Sequence, residues 1–297
     1  MNEMAAFPGH LLKIKPEIDR VMRYLAFFLF LATFFQQPLQ AAPESRLWPA
    51  WLESADTETL KPDHDYWQQF LARHLSSSSD GLNLLDYASA AKELQALNQY
   101  MVNLQAIPVS KLTRPQQLAF WINLYNAATV ATILEHYPVQ TIRDIDTSPG
   151  LFADGPWGDK ILSIEGLELS LDDIEHRILR PIWKDNRLHY ALNCASVGCP
   201  NLQPQAFTEA NTEELLESAA SDYINHPRGA KVLDGKLRVS SIYKWFQMDF
   251  ENSENGVIAH LKRYAKPPLS NKLDGIDGID DYAYDWSLND RNMVNTH

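Results

Sequence analysis

The pattern of apolar and polar positions predicts a chain that is rich in helices. Apolar residues recur at helical spacing over residues 88–104, and this helix is expected to end before Pro108. The next predicted helix opens at the cap residue Thr113 and runs to about His136. Because it is apolar almost all round, we expect it to be central and buried.

Two asparagines interrupt this apolar helix. Asn123 and Asn126 are three positions apart in the sequence, so they share one face of the helix. Buried amides need hydrogen-bond partners, which favours a structural clamp on a neighbouring segment. The alternative interpretation is that the two amides line a functional site.

Shorter elements are predicted in the rest of the chain. Residues 160–163 and 167–169 flank the turn Glu165-Gly166 and predict a β-hairpin. The remaining predictions are a helix capped by Ser170, helices at about 212–224 and 256–265, a strand at about 236–240 and a short aromatic helix within 242–250. Together they predict the α+β class, as a helix-rich single domain with a small, mostly antiparallel sheet.

A carboxylate falls on the apolar side of the helix that follows Ser170. Glu175 lies within the stripe marked by Leu171 and Ile178, whereas His176 is expected to point off to one side. A carboxylate on an apolar face is unfavourable unless it is paired. Its partner is expected to be an arginine, backbone N–H groups or a histidine of a site.

The chain contains two cysteines, Cys194 and Cys199, in a turn of small residues. A strand-like run over 188–192 leads into this turn, and small residues allow a ligand to approach the backbone closely. One interpretation is a nucleophilic Cys194 with N–H donors from residues such as Ser196. The other is a disulfide that braces the loop, which is feasible at this spacing and expected in an oxidising compartment.

A thiol site also needs a base and an orienting group. His189 precedes Cys194 by five positions, and in a regular strand this odd spacing places the two side chains on opposite faces. His189 therefore reaches the thiol only if the strand ends near Asn193. The predicted catalytic residues are Cys194, His189, Glu175, Asn193 and Asn123, and the predicted binding residues are Ser196, Asn126 and His176.

Composition and motifs argue against several classes of function. A formal net charge of −12 without a basic run disfavours nucleic acid and anionic lipid surfaces as partners. The cysteine spacing is not a usual zinc pattern, and the acidic run at 274–281 lacks the EF-hand pattern. We therefore expect no metal and no cofactor, and a peptide or a small molecule as the ligand. The sequence leaves the oligomeric state open.

The amino terminus has the pattern of an export signal. The uncharged run Tyr24–Phe35 follows a basic residue, and the small residues after it favour a cut after Ala41. The run is short for a membrane span, which needs about 20 residues, although a retained anchor is the alternative. We expect a leader at 1–41, with residues 1–21 an over-called extension, and a lead-in segment at 42–79. The product is then periplasmic or secreted, with no stable membrane span after the leader is removed.

Five motifs, in this order, resemble one protein family. They are LAFWINLYNA at 118–127, SLDDIEHRILR at 170–180, HYALNCASVGCPNL at 189–202, VSSIYKWFQMDF at 239–250 and YDWSLN at 284–289. The chain resembles the domain of unknown function 547 family, which implies a domain at 80–297 and an exported bacterial member. The family is similar to papain-like and transglutaminase-like thiol enzymes, which implies a fold of that kind. Those enzymes usually place cysteine before histidine, whereas His189 precedes Cys194 here.

Two functions from different classes follow. The first is an exported thiol-dependent hydrolase or acyl- or amide-transfer enzyme centred on Cys194. The second is a non-catalytic binding module for a peptide or a small thiol, in which Cys194 and Cys199 form a structural disulfide.

Overall fold

The computed structural model describes residues 43–149 and 155–294. The predicted leader and the predicted cut after Ala41 lie outside these residues. Within the part that is described, no helix has the length and apolar character needed to cross a membrane.

Helices make up most of the regular structure. The α-helices are α1 (Asp65–His74), α2 (Tyr87–Ala90), α3 (Leu94–Gln105), α4 (Arg114–His136), α5 (Arg180–Trp183), α6 (Leu188–Ala191), α7 (Thr212–Asn225), α8 (Ile242–Trp245), α9 (Glu254–Tyr264), α10 (Leu269–Leu273) and α11 (Arg291–Val294). A π-helical segment, Asp173–Leu179, runs directly into α5. Short 3-10 turns lie at Pro49–Trp51, Ala91–Glu93, Val109–Lys111, Ile142–Asp144 and Gln247–Asp249.

The strands of the described residues form three small sheets. The antiparallel pairs are β1 (Leu75–Ser77) with β2 (Asn83–Leu85), β3 (Leu162–Ile164) with β4 (Leu167–Leu169), and β5 (Ala230–Leu233) with β6 (Lys236–Ser240). Strand β7 (Asp281–Ala283) adds to β6 in parallel. The predicted α+β class, helix-rich with mostly antiparallel pairing, is confirmed.

Helix α4 forms the centre of the main core. Every residue from 119 to 134 is buried, as its nearly continuous apolar sequence predicts. The helix begins where predicted, because the backbone N–H of Thr113 donates to the side chain of Gln116 at 3.0 Å. Trp51 and Trp67 of the lead-in segment are buried in the same core.

Two predicted elements differ in the structure. Residues Leu188–Ala191 form the helical turn α6 and not a strand, with the N–H of Leu192 donating to the carbonyl of Leu188 at 3.2 Å. A buried apolar run this short has no periodicity that separates a strand from a helical turn. The predicted helix over 88–104 is two helices, α2 and α3, with the 3-10 turn Ala91–Glu93 between them.

Candidate functional site

The two cysteines form a disulfide, Cys194–Cys199. Between them Ala195 has a φ of 59°, a left-handed conformation that residues other than glycine rarely adopt. The buried side chain of Asn193 holds this turn. Its Oδ1 accepts from the N–H of Ala195 at 2.9 Å, and its Nδ2 donates to the carbonyl of Pro200 at 2.8 Å. Asn193 therefore ties together the two ends of the cysteine loop (residues 194–199).

The paired amides of α4 clamp main-chain segments on both sides of this loop. Asn126 donates to the carbonyl of Ala191 at 2.9 Å and accepts from the N–H of Asn193 at 2.9 Å. Asn123 does the same with the backbone of Phe207, at 2.7 and 2.9 Å. Both amides are buried, and both ends of each are bonded, which confirms the clamp interpretation.

A segment close to the carboxyl end of the chain packs along the cysteine loop. The N–H of Val197 donates to the carbonyl of Ser287, and that of Gly198 to the carbonyl of Asp285, both at 2.8 Å. A Cβ atom at Gly198 would lie 2.7 Å from the backbone nitrogen of Asp285, closer than real Cβ contacts. Glycine is therefore required at this position by close approach of the two backbones.

Hydroxyl groups surround the sulfur atoms. The hydroxyl of Tyr284 lies 2.9 Å from Sγ of Cys194 and 3.2 Å from Sγ of Cys199. Ser196 Oγ lies 3.5 Å from Sγ of Cys194, which is half-buried. In the described parts of the chain, these two hydroxyls are the side-chain polar groups within hydrogen-bond distance of Cys194 Sγ. A thiol at this position would thus be contacted by hydroxyls and not by a histidine base.

Glu175, His176 and His189 lie in one buried polar cluster, to which Arg180 and Asp249 also belong. Nε2 of His189 is 2.7 Å from Oδ2 of Asp249, and Nε of Arg180 donates to the same oxygen at 2.6 Å. A second nitrogen of Arg180 donates to Nδ1 of His176 at 3.0 Å. We call these five residues the histidine cluster.

The expectation that His176 points off to one side is wrong. His176 is 5% exposed, and the residue before it, Glu175, is 9% exposed. Both belong to the π-helical segment, whose wider turn rotates successive residues by a smaller angle than an α-helix does. Two neighbours therefore face inward together, which α-helical spacing does not predict.

Among the residues that the structure describes, one oxygen of Glu175 has a hydrogen-bond partner and the other is open. Its Oε2 accepts from the hydroxyl of Tyr125 at 3.1 Å. Its Oε1 lies 3.9 Å from Nδ1 of His189 and 3.9 Å from Nδ1 of His176, beyond hydrogen-bond distance. A gap of this size is one that water or a polar group of a ligand can bridge.

Electrostatics fix the protonation of two groups in this region. Burial opposes ionisation of Asp249, but the hydrogen bonds from His189 and Arg180 outweigh it and hold the pKa of Asp249 well below its usual range. Burial, reinforced by the carboxylate of Glu175, raises the pKa of Tyr125 well above its usual value. Asp249 is therefore an ionised acceptor, and the hydroxyl of Tyr125 remains a donor.

Aromatic rings connect the histidine cluster to the disulfide. The ring of Phe246 stacks on His189 with centroids 4.2 Å apart. The adjacent Trp245 lies 4.8 Å from Tyr284 and 5.5 Å from Trp286, centroid to centroid. Phe246, Trp245, Tyr284 and Trp286 are all half-buried, and we call them the aromatic wall. One member of the aromatic wall, Phe246, stacks on His189, and another, Tyr284, contacts both sulfurs.

Comparison with known proteins places the central part of the chain in a family. The family model described as "Protein of unknown function, DUF547" matches residues 109–224. Residues 109–224 therefore form a DUF547 domain. Searches of the curated proteins and of the solved structures returned no match.

The DUF547 match contains all the site residues that sequence analysis selected. Glu175, His176 and His189 meet in the histidine cluster, and Cys194 and Ser196 meet beside Tyr284. The three asparagines instead bond to the main chain, as described above. Sequence analysis did not single out Tyr125, Arg180, Asp249, Tyr284 or the aromatic wall. Asp249 and Tyr284 lie beyond the DUF547 match, in the motifs at 239–250 and 284–289. Those two motifs were the sequence signal that could have identified them.

Proposed function

We propose that this DUF547 protein is a binding module that holds a peptide segment along the aromatic wall. A polar group of the peptide then bridges the gap between Glu175 and His189. The observation that carries the proposal is the open Oε1 of Glu175, which lies 3.9 Å from Nδ1 of His189, a residue whose ring stacks on the half-buried Phe246. These features supply an apolar surface and a polar anchor in one place.

The aromatic wall suits a peptide because its rings combine large apolar faces with polar atoms. Tryptophan and tyrosine are enriched at binding surfaces for this reason. Trp245, Tyr284 and Trp286 also contact one another, with centroid distances of 4.7–5.5 Å, so each restricts the motion of the others. A surface that is ordered before binding loses less entropy when the ligand arrives.

The hydrogen bond to Asp249 defines the chemistry of the gap. When the ring proton of His189 is on Nε2, this nitrogen donates a hydrogen bond to Asp249 and Nδ1 is left as an acceptor. Oε1 of Glu175 is also an acceptor, so two acceptors face the same gap. The ligand group that fits them carries at least two N–H donors. We therefore assign the gap to the amino terminus of a peptide or to a side-chain amide.

A thiol-dependent hydrolase or transferase centred on Cys194 is the second candidate. The observation in its favour is the pair of hydroxyls, from Tyr284 and Ser196, that would donate to a thiolate after reduction. In the oxidised form Cys194 has no thiol, and Nε2 of His189 is bonded to Asp249. The binding function accordingly takes first place.

Location is part of the proposal. We infer that the protein is exported to the periplasm or secreted, supported by the apolar run at Tyr24–Phe35 and by the disulfide. Disulfides persist in oxidising compartments and are rare in the cytosol.

The test is an NMR titration that follows the indole N–H signals of the eight tryptophans. The probe is a hexapeptide mixture of randomised sequence with free amino termini, and the same mixture acetylated is the comparison. We expect the free mixture to shift the signals of Trp245 and Trp286, which Trp245→Phe and Trp286→Phe assign. Acetylation leaves a single N–H at the amino terminus, so the blocked peptides should shift these signals less.

Variants of two glutamates separate the anchor from general surface charge. Glu175→Gln replaces the acceptor Oε1 with a group of similar size and should weaken binding about tenfold, the loss of one charged hydrogen bond. Glu168→Gln, on the exposed face of β4, is the matched control and should bind like the parent. Absence of any shift overturns the binding proposal. Thioester hydrolysis by reduced protein, lost in Cys194→Ala, would establish the second candidate instead.

A further inference from the structure

A second recess lies beside residues 197–198 of the cysteine loop. Its volume is about 250 Å³, and its lining includes Val197, Gly198, Arg228, Arg238, Tyr284 and Asp285. Glu175 and the histidines of the cluster do not line it. Its chemistry is therefore separate from that of the proposed peptide site, although Tyr284 borders both.

Arg228 places a guanidinium at this recess, and no carboxylate of the described residues forms an ion pair with it. Its terminal nitrogens donate to the carbonyl of Val197 at 2.9 Å and to Oδ1 of Asn201 at 2.6 Å, which are both neutral acceptors. Its Nε is buried and has no hydrogen-bond partner among the residues described. Burial accordingly lowers the pKa of Arg228. A largely buried cation with no paired anion is unfavourable, and an anionic ligand would remove that penalty.

Arg238 supplies a second guanidinium from strand β6. It is exposed and lies in register with Lys231 on β5 and with Asp281 on β7. Within the described residues no carboxylate comes within ion-pair distance of it. The chain as a whole has a formal charge of −12, so two unpaired arginines at one recess are a local feature and not a general surface property.

We propose that this recess binds a small oxyanion, a phosphate or a carboxylate, between Arg228 and Arg238. The planar guanidinium group matches the geometry of both oxyanions through paired N–H donors. The ring of Tyr223 lies 5.4 Å from the guanidinium carbon of Arg228 and helps to hold it in place. Asp285 opposes the two positive charges, but its Oδ1 already accepts from the backbone N–H and hydroxyl of Ser287. Two cations and one carboxylate leave the recess with a net positive charge.

Calorimetric titration of the purified full chain with inorganic phosphate and, separately, with acetate tests the proposal. Arg238→Gln removes an exposed side chain, so the fold should be retained, and binding should weaken about tenfold, as expected for a charged hydrogen bond. Lys231→Gln is the matched control, because Lys231 lies opposite Arg238 on the neighbouring strand but does not line the recess. It should change the affinity by less than about twofold.

A third variant gives a change that structural damage does not produce. Asp285→Asn removes the opposing charge but keeps an oxygen that can accept from Ser287, so it should tighten binding about threefold. Whichever of phosphate and acetate binds with the higher affinity identifies the class of oxyanion. Equal weakening by Arg238→Gln and Lys231→Gln, no tightening by Asp285→Asn, or no binding of either probe at millimolar concentration overturns the proposal. Glu175→Gln should leave phosphate affinity unchanged, which separates this site from the peptide site.

Discussion

Asp249 accepts hydrogen bonds from His189 and Arg180 on a single oxygen, and its side chain is 22% exposed. Asp249→Asn would leave the buried guanidinium of Arg180 without its charged partner. We expect a loss of about 3 kcal/mol in the free energy of unfolding at neutral pH. Denaturant unfolding measures the loss, and the exposed Asp222→Asn on α7 is the control.

The pH dependence of this loss tests the same hydrogen bonds. The folded-state pKa of Asp249 lies below the value of about 3.9 in an unfolded chain. The carboxylate therefore stabilises the fold fully above that pH, and the contribution is lost as the pH falls towards the folded-state pKa. The difference between parent and Asp249→Asn should narrow below about pH 4. A difference that stays constant into acid would contradict the assignment.

Asn126 bonds to Ala191 and Asn193 at the entrance to the cysteine loop. Asn126→Ala leaves a buried N–H and a buried carbonyl without partners, and should lower the free energy of unfolding by about 2 kcal/mol. Asn123→Ala should act in the same way through Phe207. Thermal melting measures both, with the exposed Asn103→Ala on α3 as the control. Melting of both core variants at the temperature of the parent would show that the clamps are not needed.

Local chemistry at single residues could be predicted from the sequence, but long-range partners could not. A carboxylate on an apolar stripe indicated that Glu175 needs a partner, but the partner is the hydroxyl of Tyr125 and not the expected arginine, backbone N–H groups or histidine. The cysteine spacing left the disulfide as one of two interpretations. The partners of these groups lie far along the chain, with 60 positions between His189 and Asp249 and 90 between Cys194 and Tyr284. Periodicity reports only neighbours within one element, so these contacts carry no local signal.

At the scale of elements, segments with a clear apolar period or a turn signal were predicted best. Helix α4, helix α7, strand β6 and the β3–β4 hairpin lie within a few residues of their predicted positions. Three predictions differ from the structure. The helix over 88–104 is split into α2 and α3, and the other two differences, α6 and the π-helical segment, are short and lie next to the site. A turn of four residues has no measurable period, and a π-helical turn follows a period that amphipathic analysis does not use.

The contact between the cysteine loop and the segment at 284–289 requires that residue 198 is a glycine, which has no side chain. Gly198→Ala would place a Cβ atom 2.7 Å from the backbone of Asp285 and push the two backbones apart. We expect a loss of about 1–3 kcal/mol, with faster hydrogen exchange at the N–H of Val197. Gly278→Ala is the control, since the nearest atom to its Cβ would be 3.9 Å away. Unchanged exchange at Val197 would show that the contact tolerates a side chain.

For the whole molecule, the testable expectation is export with removal of the leader. Mass spectrometry of the protein purified from its native host should give a chain that begins at about Ala42, because the apolar run is followed by small residues that suit a signal peptidase. A membrane-bound product that begins at Met1 or Met22 would contradict this expectation.

Alkylation of the denatured, unreduced protein should find no free thiol, in agreement with the disulfide.

The distance along the chain between the two halves of the site also separates them in time during synthesis. The disulfide joins residues five positions apart and needs only its own loop, whereas Tyr284 follows Cys194 by 90 positions. In a chain that emerges from its amino end, oxidation of the loop is possible well before its covering segment exists. A chain that terminates before Tyr284 would keep both cysteines but lack Tyr284 and Trp286 of the aromatic wall. Nascent-chain length, and not oxidation, therefore determines when the aromatic wall is complete.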